Sequence, residues 1–248
     1  MTSYHAKYDV LFVHVPKTAG TSMEHAPFIE GDGHMPFWAV PAECQRARFS
    51  FAFVRNPYDR FVSAVTEGMF TTLLQRNEHP KDNTDERIIF ERAKQLVHFA
   101  AAQAPSSGQL ELRSVGNWRV LGRGHDPLPH VEGWDFPIHY IPQHYFVSTI
   151  GLDRVGVEML GRFEHLQRDW RRVCDRVGVP FELPHHRNAQ RHRRRRYPAF
   201  YTPDVQDVVR RCYARDFEVL DYDADVLEDH RPDRGWNPAA GTVHQHGE

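Results

Sequence analysis

Two stretches of the chain share one construction, and that repetition narrows the folds open to it. In "YDVLFVHVPKTAGTSMEHAPF", residues 8–28, an unbroken apolar run ends at Pro16 and passes through Lys17, Thr18, Ala19, Gly20, Thr21 and Ser22 into a short helix-forming stretch that Pro27 interrupts. In "RFSFAFVRNPYDRFVSAV", residues 48–65, a second run over Phe49 to Val54 meets Arg55, turns at Asn56 and Pro57, and continues as a helix with Phe61, Val62 and Val65 facing inward. Short continuous apolar runs are strands buried on both faces, and strand-loop-helix units in tandem belong to a parallel sheet covered by helices. The expected fold class is therefore α/β: a single domain with a central parallel β-sheet flanked by helices.

The first strand begins at about Asp9. Beyond the two units, "DERIIFERAKQLVHFAAAQ" has helical spacing with Ile88, Ile89, Ala93, Leu96, Val97 and Ala100 on one side, and ends near Pro105. Residues 106–137, rich in Gly, Pro, Trp and His, form an irregular excursion of the kind that often carries substrate contacts. "VEMLGRFEHLQRDWRRVCDRVGV" predicts a strand ending near Phe163 and then a helix stopped by Gly178 and Pro180. "FYTPDVQDVVRRCYARDFEVLDYD" predicts a carboxy-terminal helix capped by Thr202, with Pro203 in its first turn and Val205, Val208, Val209, Cys212, Phe217 and Leu220 as its buried stripe. At 248 residues and 40% hydrophobic, one domain over residues 1–230 followed by a loosely ordered tail over 231–248 accounts for the whole chain.

The net charge of −2 conceals an asymmetry: the only lysines are Lys7, Lys17, Lys81 and Lys94, so nearly all positive charge is arginine. Cys44, Cys174 and Cys212 are too few and too scattered for a disulfide framework or a cysteine-rich zinc site, and they fit a reducing compartment. No apolar run reaches the roughly 18 residues of a membrane span, and no basic-then-apolar leader opens the chain. These features lead to the expectation of a soluble, bacterial, cytoplasmic protein without a membrane partner.

A strand that stops in a loop of small and hydroxyl residues and passes into a helix directs unpaired N–H groups and the positive end of a helix toward one spot. Thr18, Thr21 and Ser22 add hydroxyls and Lys17 adds a mobile charge, which together describe an anion cradle. The plainer alternative is a capped turn with Lys17 in solvent. A Walker loop would place its lysine after a second glycine, whereas Lys17 precedes Gly20, which weighs against an ordinary kinase or GTPase. Arg55 ends the next strand and Ser63 follows eight residues later, so both could hold a second anionic group; a turn pairing of Arg55 with Asp59 is the plainer reading of that arginine. Two anion sites at adjacent strand ends suit a nucleotide phosphorylated at two positions.

With these residues in view, "FVHVPKTAGTS" resembles the 5′-phosphosulfate loop, and "FAFVRNPYDRFVSA" the 3′-phosphate element, of sulfotransferases that use 3′-phosphoadenosine 5′-phosphosulfate (PAPS). The carbohydrate branch related to heparan 2-O and uronyl sulfotransferases is the most similar, and "HYIPQHYFV", "VEMLGRFEHLQRDW" and "RYPAFYTPDVQDVVRRCYARDFEVLDYD" resemble its later segments in the same order. The resemblance spans about residues 9–223 and is weakest over 70–137. Ala19 stands where many relatives have glycine, and a small residue is expected to be tolerated there. The resemblance implies a P-loop-like sulfotransferase fold and transfer of a sulfuryl group from PAPS to an acceptor hydroxyl, releasing 3′-phosphoadenosine 5′-phosphate (PAP). It implies a sugar, glycan or small natural product as acceptor, and no metal. It places Lys17, Thr18, Ala19, Gly20, Thr21 and Ser22 around the 5′-phosphosulfate, with Lys17 also catalytic, and Arg55 and Ser63 on the 3′-phosphate.

The acceptor hydroxyl must lose a proton. His34, in "GDGHMPF", resembles the base of the 2-O branch's His-Gly-His stretch, with Asp32 where the first histidine would stand; Asp32 could orient His34, take the proton itself or hold the acceptor, and Glu30 is a weaker rival. Six arginines lie within residues 187–196, open to a nucleic-acid patch, a solvated face, or a basic loop over the 3′-phosphate or acceptor through Arg193 to Arg196. His185, His186 and His192 lack the accompanying carboxylate or cysteine spacing of a metal site. Glu164 suits a structural pairing, Gln143 a contact to the acceptor or support of the site, and His139 and His144 have no clear role. The rival classes are a small-molecule kinase using the same cradle and a nucleic-acid-binding module built on the arginine run.

Overall fold

The computed structural model describes residues 2–30, 33–75, 138–182 and 197–227, together with 91, 94, 95, 97, 98, 101 and 102. Its sheet has four strands in the order β1-β2-β3-β4: β1 Ser3–His5, β2 Val10–Val13, β3 Phe49–Val54 and β4 Met159–Arg162. The last three run parallel, with Val13 beside Ala52 and Val54 beside Arg162, so their carboxyl ends open on the same edge. The expectation of a parallel sheet holds for these three. β1 is an added antiparallel edge strand, Ser3 facing Phe12, which makes the sheet mixed. Three residues with alternating burial give too little pattern to be read as a strand from sequence.

Every residue of β2 and β3 is buried, as strands covered on both faces must be. Leu11, Val13, Ala52 and Val54 point into one cluster with Tyr58, Phe61, Val62, Tyr213 and Phe217. Val10, Phe12, Phe49, Phe51 and Phe53 point into the other with Phe28, Trp170 and Val173. Burial of each such large apolar side chain stabilises the fold by about 1.5–3 kcal/mol.

The helices α1 Gly20–Met23, α2 Ala42–Gln45, α3 Pro57–Gln75, α4 His144–Val147, α5 Leu166–Val177, α6 Pro203–Cys212 and α7 Ala214–Val219 surround this sheet. In α5 the buried Leu166, Asp169, Trp170, Val173, Cys174 and Val177 repeat at helical spacing, and Gly178 ends the helix at φ 83, a left-handed conformation that costs glycine little. Thr202 caps α6 as expected, accepting from the Val205 N–H. The expected single carboxy-terminal helix is in fact two. Tyr213, at φ −113 and ψ 22, breaks it, its ring is buried and its hydroxyl donates to the Tyr140 carbonyl at 2.8 Å. The break sets Asp216 at the N-terminus of α4. Of the helix expected over residues 85–103, the described residues are helical and Val97 and Ala101 are buried. No helix among the described residues is long and apolar enough to cross a membrane, and Cys44, Cys174 and Cys212 are free thiols.

Candidate active site

The loop after β2 is built by withdrawing its carbonyls. Three successive carbonyl oxygens each accept a side-chain hydrogen bond: Val15 from Thr18 Oγ1 at 2.8 Å, Pro16 from Arg60 Nε at 3.0 Å and Lys17 from Arg55 Nη1 at 3.2 Å. In a trans peptide the N–H points opposite to the C=O. Drawing the Pro16 and Lys17 carbonyls toward α3 therefore turns the N–H groups of Lys17 and Thr18 the other way. Lys17 at φ 72 and Ala19 at φ 76 are both left-handed, and such a backbone gathers successive N–H groups into a concavity suited to an anion. Ala19 holds this conformation without glycine's freedom.

The hydroxyl of Thr18 is directed at Val15, so what this buried residue offers an anion is its N–H. Thr21 is exposed and Ser22 half-buried. Gly20 is fixed by its neighbour: a Cβ there would fall 1.9 Å from His14 Nε2.

Arg55, 7% exposed, is held from all sides. Its Nε donates to Asp59 Oδ2 at 2.7 Å, so the turn pairing considered from sequence is real, and its guanidinium lies over the Phe163 ring at 4.0 Å from the centroid. One donor of Nη1 goes to Lys17, and among the described residues Nη2 has no hydrogen-bond partner. The pairing with Asp59 thus aims the arginine without exhausting it. Ser63 is nearly buried on α3.

The backbone beside Arg55 is locked as firmly. The Gln143 side chain accepts from the Arg55 N–H at 2.9 Å and donates to the Arg55 carbonyl at 2.7 Å, replacing a neighbouring strand. Glu164 accepts the Asn56 N–H at 2.7 Å and the Tyr222 hydroxyl at 2.9 Å, and burial raises its carboxyl above the ordinary range. Asp216, buried, accepts the N–H groups of Gln143 and His144, each at 2.8 Å, and faces His144 Nδ1 at 2.7 Å. Glu164 and Gln143 therefore support the turn.

Three histidines from different segments meet beside the loop. The rings of His14 and His34 are 4.3 Å apart between centroids, and those of His34 and His139 are 6.3 Å apart, edge to face. His34 Nδ1 lies 3.2 Å from the His14 carbonyl. A carbonyl can only accept, so Nδ1 carries the hydrogen and Nε2 keeps the basic lone pair. Burial, with Lys17 and Arg60 nearby, pushes His34 down to about 4 and His139 down to about 3, and burial holds His14 well below its ordinary value. His34 is thus neutral, as a proton acceptor must be.

Lys17, Arg55 and His34 are brought to one region by the opening of the parallel strands. Glu30 is exposed and lies 3.5 Å from His5 Nε2. Asp32, residues 187–196 with Arg193 to Arg196, the histidines His185, His186 and His192, the excursion over 106–137 and the tail over 231–248 lie outside the described residues. Arg60 escaped the sequence reading; its one signal was an arginine set among Tyr58, Phe61 and Val62 on an apolar helix face. Among the described residues no group of three or more His, Cys, Asp or Glu is placed to hold a metal ion.

Residues 33–223 match a family model described as "Sulfotransferase family". The match begins past the Lys17 loop and takes in His34, Arg55, Ser63, His139, Gln143 and Glu164. No curated protein and no solved structure matches the chain.

Proposed function

The chain belongs to the sulfotransferase family, and from that premise we propose that it moves a sulfuryl group from PAPS to an acceptor hydroxyl of a carbohydrate or small metabolite. The observation that carries this reading is the hydrogen bond from Arg55 to the Lys17 carbonyl, which joins the two phosphate-type elements at adjacent strand ends. The residues fit a doubly phosphorylated adenosine. The loop carbonyls are withdrawn, a side chain at Gly20 would meet His14, and Lys17, Arg55 and Arg60 supply positive charge, Arg55 being aimed by its ion pair with Asp59.

PAPS, when bound, supplies the sulfuryl group and receives the electron pair of the broken sulfur–oxygen bond on its 5′-phosphate. Lys17 neutralises the phosphosulfate end and stabilises the charge that grows on the leaving oxygen, the role for which a preorganised cation is most effective. Thr18, Ala19, Gly20, Thr21 and Ser22 hold the 5′-phosphate through N–H and hydroxyl donors. Arg55 and Ser63 hold the 3′-phosphate and exclude donors without it. His34 takes the acceptor proton on Nε2, as the new oxygen–sulfur bond forms, and Asp32 is its companion in this step. Sulfuryl transfer through a loose transition state asks of the protein chiefly position and charge, which these residues provide.

Calorimetric titration with PAP, against ATP with magnesium as the comparison, tests the donor. PAP is expected to bind without metal, and labelled PAPS is expected to pass its sulfur to a hydroxyl in a panel of glycans and metabolites. Magnesium-dependent ATP binding without affinity for PAP would replace this reading with a kinase.

A further inference from the structure

Arg60 is the most enclosed cationic side chain among the described residues, and no step of the reaction above is assigned to it. It is 1% exposed, its Nε donates to the Pro16 carbonyl at 3.0 Å, and its Nη2 is buried without a hydrogen-bond partner. Among the described residues no carboxylate pairs with it. The nearby Asp216 has both oxygens engaged by Gln143 and His144. A buried guanidinium without an ion-pair partner carries a large desolvation penalty, and a buried donor left unmet adds to it. An apolar side chain of the same length would fill the space on α3 at less cost. Local rules broken in this way belong to functional sites.

We propose that Arg60 is a positioning residue for the sulfo donor: with Arg55 it pulls two successive carbonyls of the loop inward, so that the loop's N–H groups face the donor's anion, and it places a fixed positive charge behind them. This inference rests on the donor reading given above. Pro16 and Lys17 are gripped from one helix entrance by residues five apart, Arg55 on the turn and Arg60 within the first turns of α3. The loop cannot shift its carbonyls outward without breaking both bonds. The field of Arg60 also reaches His34 and His139, disfavouring the protonated form of each. A guanidinium suits the task better than an ammonium because it stays charged when buried and donates from a rigid fork.

The experiment compares wild type with Arg60→Met and Arg60→Lys by thermal unfolding, PAP calorimetry and the pH profile of kcat/KM for PAPS. Arg60→Met is expected to fold with Tm within about 5 °C of wild type, because the lost bond to Pro16 is offset by removal of a buried charge. Its affinity for PAP is expected to fall by about tenfold or more, as loss of a charge-assisted anchor implies. Its acidic limb is expected to move to higher pH, since His34 loses a neighbouring cation, and Arg60→Lys is expected to restore part of both. A packing role would leave the limb in place. Arg60→Met that binds PAP within twofold of wild type with an unmoved limb would overturn the inference, and so would its failure to fold, because the charge would then serve stability. Wild type that does not bind PAP would remove the donor reading and this inference together; wild-type binding with an unaltered Arg60→Met would remove the inference alone.

Discussion

The guanidinium of Arg55 reaches the carbonyl oxygen of Lys17 at 3.2 Å while Asp59 holds its Nε at 2.7 Å, so one side chain fixes the spacing of two strand ends. Asp59→Asn keeps a hydrogen-bond acceptor but removes the charge that aims the arginine. PAP affinity is expected to drop by about 1–2 kcal/mol, and Arg55→Gln by more, in line with hydrogen bonds to charged groups. In Arg55→Gln the preference for PAP over adenosine 5′-phosphate should shrink as well. Calorimetry with both nucleotides reads this, and an undiminished preference would take Arg55 off the 3′-phosphate.

Lys17 is half-buried on a left-handed loop and contributes no apolar burial to the core. Lys17→Ala is expected to lower kcat by about 10²–10³, the scale of removing one preorganised stabiliser of developing charge. Its Tm should stay within a few degrees of wild type. Steady-state kinetics beside a melting curve decide it, and an unchanged kcat removes Lys17 from the chemistry.

The free enzyme's His34 titrates at about 4 because burial disfavours the imidazolium. kcat/KM for PAPS reports the free enzyme, so it is expected to hold as pH falls through 6.5 and to decline only toward about 4. A bound anion favours the protonated ring, so the acidic limb of kcat should lie at higher pH than that of kcat/KM. His34→Gln should abolish most turnover while PAP still binds. If the two limbs coincide, no anion sits beside His34.

Stability carries the same histidines with the opposite readout. His14, His34 and His139 are all depressed in the fold, so between about 4 and 6.5 the unfolded chain binds more protons than the native one. Stability therefore falls as pH drops through 6.5 and is restored as pH rises above it. Glu164, raised by burial, works against this trend, since its contribution is lost as pH rises. Urea denaturation at pH 7, 6 and 5 should show the midpoint falling, and His139→Gln should flatten the slope.

Gly20→Ala would set a Cβ 1.9 Å from His14 Nε2, a distance that packed atoms do not adopt. The variant is expected to lose about 1–3 kcal/mol, the usual cost of overpacking, together with PAP affinity. Adding His14→Ala should recover most of the stability. Ala19→Gly should instead stabilise by up to about 1 kcal/mol by relieving the left-handed alanine at φ 76. Denaturation midpoints of the four proteins separate these effects, and a stable Gly20→Ala would mean that His14 has room to turn.

The two buried strands were legible because Val10 to Val13 is apolar throughout and Phe49 to Val54 is apolar except at Ser50, and the turns because Lys17, Gly20, Arg55 and Pro57 interrupt them abruptly. β1 was not, since three residues at an edge carry no period. The break at Tyr213 was hidden because Val209, Cys212, Phe217 and Leu220 keep helical spacing across it; what stops the helix is a tertiary bond from the Tyr213 hydroxyl to Tyr140. Arg60 was hidden for the opposite reason. A charge at a core position has meaning only once its acceptor is known, and Pro16 lies 44 residues earlier in the chain. His139 likewise acquires a context only when the fold sets it against His34.

Gln143 grips both backbone groups of Arg55, and His139 stands four residues before it on the same short segment. The segment that carries this imidazole is thereby riveted to the residue proposed to grip the far phosphate. Tilting either one drags the other along, so damage at Gln143 would register as misalignment of two substrates with each other before it registered as weaker hold on either.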